Sequence, residues 1–341
     1  MTGHLNVLSA GPAISVQDMG RSGYLAHGLT RGGAADTLAL CEGAALLGQS
    51  PHLACLEMVG LGGAFTADVD TVIALTGAQM AANIDGAAVV WNASHRLPAG
   101  AKLIIGGAQQ GTYGYLSVAG GIDLPDVMGA RSSHLTAGIG GMVQTGDALP
   151  IKANAKAPAG YFIAPEARCA GGVAHIVPSV QTEQFTKATL DRFIATTFRR
   201  DPRGNRQGVR MASDSDGFFV EGGLSIVSEV ITEGDIQITG DGAPYVLMCE
   251  CQTTGGYPRI GTVIPSDLPL VAQAPVGAPL EFRFVTLDEA RSLEQRARAA
   301  RKALPGAVHP LVRDPHDMSN LLSYQLVGGV ISATDDPFAT P

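Results

Sequence analysis

The sequence predicts a mainly β fold with a few short helices, and three observations carry this expectation. Glycine contributes 44 of the 341 residues, roughly twice its usual share, and helix interiors tolerate glycine poorly. Several short apolar, partly β-branched segments are separated by glycine turns, as in barrels and sandwiches. Helix-capping signals occur at only a few places along the chain.

Short apolar segments indicate where the strands lie. In the first half of the chain these are Thr71–Thr76, Lys102–Ile105 and Thr112–Val118, and in the second half Tyr245–Cys249 and Ile260–Ile264. A glycine turn followed by an extended segment recurs three times, and we interpret it as the start of equivalent strands in barrel-like units. Its three copies begin at Pro98, Gln144 and Pro275.

Three segments are predicted to be helices. The first is Thr37–Leu47, with Asp36 as its N-cap and Gly48 as its C-terminal stop. The second is Thr186–Phe198, which carries apolar residues on one side. The third follows a capping box formed by Thr286 and Glu289 and runs to about Leu304.

The chain is long enough for two domains of ordinary size. An Ala-, Gly- and Pro-rich stretch makes residues 156–172 the best linker candidate. We therefore expect a first β domain over residues 1–155, a second over residues 173–290, and a C-terminal helix and extension over residues 286–341. Apolar residues in Leu321–Ile331 indicate that the extension packs on a domain.

Composition excludes several function classes. A net charge of −8 argues against nucleic-acid binding, which needs clustered lysine and arginine. We expect neither a signal peptide nor a membrane span, because no apolar run approaches about 18 residues. Five scattered cysteines suit a reduced protein, so the expected location is the cytoplasm.

Common catalytic motifs are missing from the sequence. It contains no phosphate-binding P-loop, no dinucleotide fingerprint, no serine-hydrolase elbow and no zinc-protease motif. The eight histidines are dispersed and show no metal-ligand spacing, so no metal site is expected. The remaining candidates are glycine-framed polar clusters.

The most informative cluster lies between the last two predicted strands, in the segment Cys249–Pro258. Gln252, Thr253 and Thr254 bring donors and acceptors together, and Gly255 and Gly256 permit positive φ or close approach of a ligand to the backbone. A tight hairpin needs only two turn residues. This longer polar loop predicts a binding site, and a structural turn is the alternative.

Guanidinium groups near the N-terminus form a second candidate. Arg21 and Arg31 are suited to hold a carboxylate or phosphate through paired hydrogen bonds. The alternative is that they form ion pairs with Asp18 and Asp36, their neighbours in sequence. The segment Asn205–Arg210 supplies two further arginines, of which Arg206 is the candidate.

Two weaker candidates remain. Thr76 and Gly77 end an apolar strand, where ligand contacts are common but polar turns are equally so. Glu233 could act as a general base if burial raised its pKa, and an exposed turn carboxylate is the commoner case.

Eight segments, taken in order, resemble the carboxyltransferase-like subunit family. That family includes the C-type subunit of bacterial ATP-dependent 5-oxoprolinase, the second subunit of allophanate hydrolase and the carboxyltransferase domain of urea amidolyase. The segments are VQDMGRSGY, GGAADTLAL, LEMVGLGGAF, IALTGA, YLSVAGGID, GARSSHLTAGIGG, NRQGVRM and QTTGGYP with IGTVIPSDLP, within about Val7 to Ala290.

The resemblance implies two cyclophilin-like β-barrel domains with a cleft between them. It implies a partner similar to the family's B-type subunit, a third component such as a lactam-utilisation protein, and ATP, on this chain or on a partner. The favoured activity is opening of a small cyclic amide, 5-oxoproline, to glutamate. The alternatives are carboxyl transfer from biotin carried by another protein to urea or a related amide, and a non-catalytic regulator that binds a partner.

In that site, oxyanion stabilisation is expected from Gly255, Gly256, Thr253 and Thr254, with Gln252 beside them. Other expected roles belong to residues that the candidate clusters and the resemblance bring together. Substrate binding is expected from Gln17, Asp18, Arg21, Arg31, Arg206 and Tyr257, proton transfer from Glu57 or Glu233, and cofactor contact from Thr76 and Gly77.

Overall fold

A computed structural model describes residues 2–220 and 226–312, and it confirms the mainly β fold. Ten of its strands precede residue 164. They are β1 (Gly3–Ser9), β2 (Ile14–Gln17), β3 (Cys55–Val59), β4 (Ala64–Ala67), β5 (Thr71–Ile84), β6 (Ala87–Ala88), β7 (Ala93–Leu97), β8 (Lys102–Val118), β9 (Ala148–Ile151) and β10 (Tyr161–Ile163).

The second group of strands follows residue 171. Its members are β11 (Gly172–Val177), β12 (Phe198–Gly204), β13 (Gly208–Ala212), β14 (Glu229–Val230), β15 (Asp235–Ile238), β16 (Pro244–Leu247), β17 (Thr254–Gly255), β18 (Arg259–Val263), β19 (Pro279–Phe284) and β20 (Val308–Pro310). The α-helices of the described chain are α1 (Thr37–Leu47), α2 (Lys187–Ala195), α3 (Leu268–Gln273) and α4 (Leu287–Ala303).

The first group of strands forms one sheet, which β20 also joins. Its main path runs β20-β10-β7-β5-β8-β4-β1-β9, with β2 joined through β3 to β8 and β6 joined to β5. The predicted strands Lys102–Ile105 and Thr112–Val118 are parts of the single strand β8, which spans 17 residues. Strand β8 contacts β3, β4 and β5, so it organises this half of the molecule.

The second group contains a closed barrel of seven strands, in the order β11-β18-β15-β16-β13-β12-β19. Four phenylalanines, Phe193, Phe198, Phe218 and Phe282, pack against one another in its core with ring centroids 5.2–5.6 Å apart. The helix predicted over Thr186–Phe198 is therefore shorter in the structure, where it spans Lys187–Ala195. It ends at Ala195, because Phe198 is needed as the first residue of β12.

Local signals place the other two predicted helices correctly. The Asp36 side chain accepts hydrogen bonds from the backbone N–H groups of Leu38 and Ala39, and Gly48 ends α1 with φ of 61°. Thr286 and Glu289 form the predicted capping box of α4, which ends at Ala303.

The two groups of strands share a buried contact. The hydrophobic cluster of the barrel continues into α1 and β8 of the first sheet. Gln273 of α3 is fully buried at this contact and uses both ends of its amide. Its Oε1 accepts from the N–H groups of Thr112 and Tyr113, and its Nε2 donates to Asp36 and to the Tyr113 carbonyl.

The predicted linker, residues 156–172, contains β10, which pairs with β7 and β20. Arg168, in the same segment, donates to Asp36 and Glu42 of the first sheet's helix region at 2.7–2.8 Å. This segment is thus packed against the first sheet, and the division at residues 155 and 173 stays a prediction. The apolar stretch Leu321–Ile331 lies outside the described residues.

Candidate functional site

A tight turn between β12 and β13 carries the central residue of the candidate site. The Asn205 Oδ1 accepts from the backbone N–H groups of Gln207 and Gly208, and this fixes the turn. Arg206 at its tip reaches into the contact between the barrel and the first sheet. Asn205 and Gln207 each line two cavities, one on either side of the turn.

Arg206 is 7% exposed and bonded to both halves of the molecule. Its guanidinium donates to Glu57 of β3, to Glu250 at 2.6 Å and to the Gly33 carbonyl at 2.5 Å. Burial opposes its charge, but the two carboxylates raise the pKa of Arg206 well above its usual range. The residues predicted to hold an anion and to move a proton, Arg206 and Glu57, therefore bind each other.

Glu57 is held from the other side by the first sheet. Its Oε2 accepts from the Tyr115 hydroxyl at 2.7 Å and from the Ala35 N–H at 2.8 Å. Burial, followed by the charge of Glu57, raises the pKa of Tyr115 well above its usual value, so Tyr115 remains a hydrogen-bond donor. With these partners Glu57 serves as a structural anion.

Glu250 links the loop after β16 to the first half of the chain. Its Oε2 accepts from the Thr136 backbone N–H at 3.0 Å and from the Thr136 hydroxyl at 3.2 Å. Burial alone would raise the pKa of Glu250, but the charge of Arg206 and its hydrogen bonds lower it. We call Arg206, Glu57 and Glu250 the buried triad.

The N-terminal arginines find partners far away in sequence. Arg31 forms a two-bond ion pair with Glu233, at 3.0 and 3.2 Å. Arg21 is buried and donates to the carbonyls of Ser132 and Val127. The alternative prediction, in which these arginines pair with Asp18 and Asp36, is therefore wrong. Arg31 does form an ion pair, but its partner is Glu233.

Two further predicted substrate contacts are also engaged inside the protein. Asp18 accepts from the backbone N–H groups of Gly20 and Arg131 at 2.8 and 2.6 Å. Gln17 is fully buried, and its amide lies against the Ser15 hydroxyl and the carbonyls of Ser133 and Gly33. Both side chains are thus buried and hydrogen-bonded within the first half of the chain.

Thr76 and Gly77 lie in the interior, under helix α1. The Thr76 hydroxyl donates to the Ala39 carbonyl at 2.9 Å, and Thr76 is 0% exposed. The Gly77 carbonyl accepts from the indole N–H of Trp91. The prediction that both residues lie at an accessible strand end is therefore wrong, because they are buried inside β5. Buried in this way, they do not fit a contact with a nucleotide.

The predicted binding loop begins beside the segment that carries Arg31 and ends in a short strand pair. Gly32 N–H donates to the Cys249 carbonyl at 2.9 Å, and the Thr30 hydroxyl donates to the Cys251 carbonyl at 3.1 Å. Its tip then forms β17, which pairs with β14. The loop is thus anchored at its start and bounded by a short strand pair at its tip.

The glycines of this loop do not have the left-handed backbone expected as one option. Neither Gly255 nor Gly256 has a positive φ. Of the two roles predicted for them, close approach of a ligand to the backbone is therefore the one that remains. Gly255 pairs with Glu229 across the β14–β17 ladder. Gly256 contributes its carbonyl to a hydrogen bond from Ile226.

A cavity of about 670 Å³ lies between this loop and the β12–β13 turn. Thr253 and Thr254 are not among its lining residues, whereas Gln252, Gly255, Gly256 and Tyr257 are. The described lining contains one charged side chain, that of Arg203, together with four amides, two phenols and one threonine hydroxyl. Its polar members are Arg203, Asn205, Gln207, Gln237, Thr239, Tyr245, Gln252 and Tyr257.

A second cavity of about 470 Å³ lies on the other side of the turn, between the barrel and the first sheet. Leu135, Thr136 and Met142 line it from the first half, and Asn205, Arg206, Gln207 and Glu250 from the second. This is the expected cleft between the two units. Arg206 and Glu250 of the buried triad line it, and the turn separates it from the larger cavity.

Sequence reasoning missed Gln237, Asn205 and Gln207 as individual site residues. The sequence did contain a signal for Gln237, since it is a polar residue between two isoleucines in Asp235–Ile238. All four positions of this strand are buried, so the strand has no exposed face on which a polar side chain could lie. Among the described residues, no cluster of His, Cys, Asp or Glu could hold a metal ion. No described helix is long and apolar enough to cross a membrane.

Comparison with known proteins agrees with this architecture. Residues 27–284 match the family model described as carboxyltransferase domain, subdomain A and B. The chain is homologous to the C-type subunit of 5-oxoprolinase from Escherichia coli strain K12, with 34% identity over 299 residues, 85% of this chain and 94% of that protein. These findings confirm the family resemblance and the favoured class of function.

Two further relatives are larger proteins. Urea amidolyase of Saccharomyces cerevisiae is 25% identical over 89% of this chain, which spans 18% of that protein. The crystal structure of the Kluyveromyces lactis urea carboxylase superposes with a TM-score of 0.77 at 23% identity. The superposed region covers 92% of this chain and 31% of the Kluyveromyces lactis chain, and this likeness supports the fold.

Proposed function

The chain belongs to the carboxyltransferase family of subdomains A and B, and from this premise we propose that it is the C-type subunit of an ATP-dependent 5-oxoprolinase. Such an enzyme opens 5-oxoproline to glutamate. The support is the 34% identity with the Escherichia coli protein, which is matched over nearly its whole length. Because a subunit acts within an assembly, we assign the reaction to this chain together with a partner similar to the B-type subunit and a lactam-utilisation protein.

The observation that carries the proposal is the chemistry of the 670 Å³ cavity. 5-Oxoproline presents one carboxylate, one carbonyl and one ring N–H. Amide side chains both donate and accept hydrogen bonds, so Asn205, Gln207 and Gln252 suit the lactam group. The guanidinium of Arg203 binds Asp201 through its Nε and Nη2, at 2.9 and 3.0 Å, so we assign the substrate carboxylate to its remaining Nη1.

The reaction needs a site that weakens a resonance-stabilised amide. Groups aimed at the carbonyl oxygen neutralise the negative charge that develops there when water adds to the carbon. Gln252, Gly255 and Gly256 line the cavity, which supports assigning the substrate contact to them. We reassign Arg206 and Glu57 as positioning residues and add Glu250 to them, because Arg206 binds both carboxylates and these contacts hold the turn and the loop in place.

We propose that ATP is bound by a partner subunit. The candidate nucleotide contacts of this chain, Thr76 and Gly77, are buried beneath helix α1 and engaged by Ala39 and Trp91. The sequence also lacks a P-loop. The part we assign to this chain is to bind and orient the lactam and to polarise its carbonyl.

The test is reconstitution of the full chain with its partner subunits, ATP and 5-oxoproline, followed by measurement of glutamate and phosphate. Arg203→Met should raise KM for 5-oxoproline about tenfold or more, since the carboxylate loses its cation. The matched control is Arg199→Met, an exposed arginine on the same strand that does not line the cavity. A complete mixture that forms neither glutamate nor phosphate contradicts the proposal.

A second candidate is carboxyl transfer from biotin carried by another protein to urea or a related amide. The matched urea amidolyase favours it, and the ureido ring of biotin presents the same carbonyl flanked by N–H groups. Carboxylation of urea after addition of a biotin carboxylase and a biotin carrier would select this reaction. A non-catalytic regulator would instead show no turnover in any mixture and bind tightly to a kinase-like protein.

A further inference from the structure

We propose that Asp201 is a positioning residue of the larger cavity, and that it holds the Arg203 guanidinium in the orientation that receives the carboxylate of a cyclic amide. The cavity thereby selects lactams that carry an acid group over neutral amides and ureas. The lactam part of the ligand rests on the proposed function. The path of strand β12 and the bonds of the two side chains carry the inference.

Strand β12 contains a bulge where it passes the cavity. Between two paired positions of β12 and β13, residues 201–203 of β12 lie opposite the single residue Arg210 of β13. Extra residues in one strand bend it and redirect its side chains, and such bulges are frequent beside active sites. Pro202 suits a bulge, because it has no N–H to donate to the ladder. The result is that Pro202 and Arg203 line the cavity, whereas Asp201 is buried.

Asp201 holds Arg203 by both its backbone and its side chain. The Oδ1 of Asp201 accepts from the backbone N–H and from Nε of Arg203, both at 2.9 Å, and its Oδ2 accepts from Nη2 at 3.0 Å. Parallel bonds to a planar guanidinium fix its plane as well as its place. Hydrogen bonds from Arg203, joined by one from Arg210, lower the pKa of Asp201 below its usual range, so Asp201 is an anion near neutral pH.

Asp201 is itself held from the neighbouring strand. Its Oδ2 also accepts from Nη1 of Arg210 at 2.9 Å, and Nη2 of Arg210 donates to Asp241 at 2.7 Å. Asp241 accepts from the Thr239 hydroxyl at 2.7 Å, and Thr239 lines the cavity, as Arg203 does. The side chains of Asp201 and Arg210 are 10% and 15% exposed, so this part of the network is better shielded from water than an ordinary surface ion pair. The carboxylate that orients Arg203 is therefore fixed.

The other edge of the Arg203 guanidinium is left for a ligand. Its Nε and Nη2 donate to Asp201, and Nη1 has no hydrogen-bond partner among the described residues. The Arg203 side chain is 65% exposed and lines the cavity, so a solute in the cavity can reach this edge. A guanidinium has five N–H donors and can bind one carboxylate on each of two edges. Asp201 occupies one edge, and a ligand carboxylate fits the other.

This arrangement distinguishes ligands by their acid group. 5-Oxoproline has a carboxylate beside its lactam, whereas 2-pyrrolidinone has the same ring without the carboxylate, and urea has neither. A site built to bind one polar group rejects an analogue that lacks it. The charge of Asp201 alone would weaken the attraction of Arg203 for an anion. Orientation and charge therefore predict opposite effects when Asp201 is neutralised, and we expect orientation to dominate.

The test is the KM and kcat for 5-oxoproline of the complex reconstituted from the full chain, its partner subunits and ATP. Asp201→Asn should raise KM about fivefold and leave kcat within about twofold, because the carboxylate contact is made equally in the ground state and the transition state. Arg203→Lys keeps the charge but lacks the planar fork, so it should raise KM to a similar extent. Adding Asp201→Asn to Arg203→Lys should change little, since a lysine is not held on two edges. The matched control is Asp191→Asn, an exposed aspartate paired with Lys187 that does not line the cavity.

Circular dichroism confirms that each variant is folded, and Arg203→Lys, on an exposed side chain, decides the matter if Asp201→Asn does not fold. An unchanged or lower KM in folded Asp201→Asn, or a wild-type KM in Arg203→Lys, overturns the inference and leaves the proposed function standing. Calorimetric titration of the full chain covers the case in which no mixture consumes 5-oxoproline and the proposed function fails. The inference then stands if 5-oxoproline binds about tenfold more tightly than 2-pyrrolidinone and Asp201→Asn removes that preference, and it fails if the two bind equally.

Discussion

Replacing Arg206 by methionine is the most direct test of the buried triad. Methionine keeps much of the side-chain length but removes the guanidinium shared by Glu57 and Glu250. Both carboxylates would then remain buried without a cation. Because Glu57 and Arg206 come from different halves of the chain, the substitution also loosens the contact that places the turn beside the loop.

The expected loss of stability follows from the burial of the triad. Removing one partner of a buried ion pair costs about 3–5 kcal/mol, since a charge is left uncompensated. Glu57 keeps its bonds from Tyr115 and Ala35, and Glu250 keeps those from Thr136. We therefore expect a loss of about 3–5 kcal/mol at pH 7.5 in the free energy of unfolding, and not twice that amount.

The loss should depend on pH with a definite sign. Arg206 lowers the pKa of Glu250 in the folded protein, against the effect of burial. A carboxyl group with a lowered pKa stabilises the fold above its unfolded pKa of about 4.3, and this contribution disappears as the pH falls through the folded pKa. The difference between wild type and variant should therefore be fully present near pH 7.5 and smaller at about pH 3.5, below the unfolded pKa.

Urea denaturation measures this difference, with Trp91 fluorescence reporting on the first sheet and far-UV circular dichroism on the whole chain. Lys187→Met is the control, because the ion pair of Lys187 with Asp191 is exposed and such pairs contribute little. A wild-type urea midpoint for Arg206→Met at pH 7.5 would show that the triad does not stabilise the fold.

Two further predictions concern stability. Burial lowers the pKa of His134, so its contribution to the stability of the fold is complete above about pH 6.5 and is lost as the pH falls below that value. The drop in urea midpoint between pH 7.5 and pH 5.5 should therefore be smaller in His134→Gln than in the wild type. A Cβ on Gly120 would lie 1.6 Å from the Lys152 carbonyl oxygen at φ of +91°, so Gly120→Ala should cost about 3 kcal/mol or more. Gly277 also has positive φ but nothing within 4 Å; Gly277→Ala should cost only about 1 kcal/mol, and equal urea midpoints for the two variants would contradict the steric argument.

Helix boundaries were predictable from the sequence because the interactions that set them are local. The Asp36 cap bonds to N–H groups two and three residues away, and Gly48 directly follows the last turn of α1. The capping box of α4 likewise joins residues three apart. Helix α2 was predicted too long, since the packing of Phe198 into the barrel core overrode the local pattern.

Some features of the candidate site were likewise predictable from the sequence, and others were not. The loop after β16 was predicted as a binding segment from its amide, hydroxyl and glycine residues, and Gln252, Gly255 and Gly256 do line a cavity. The two hydroxyl residues beside them do not. The path of the loop and its pairing with β14 decide which of its residues face the cavity, and the sequence does not reveal that pairing.

Sequence alone determined the fold class, the family and the helix caps, because periodicity, turn chemistry and motif order all act over short stretches of chain. Only the tertiary structure decided the partners of the charged residues. Arg206 meets Glu57 across 149 residues, and Arg31 meets Glu233 across 202. The sequence neighbours Asp18 and Asp36 are occupied elsewhere, because strand register and the packing of the barrel on the first sheet, and not sequence separation, bring opposite charges together.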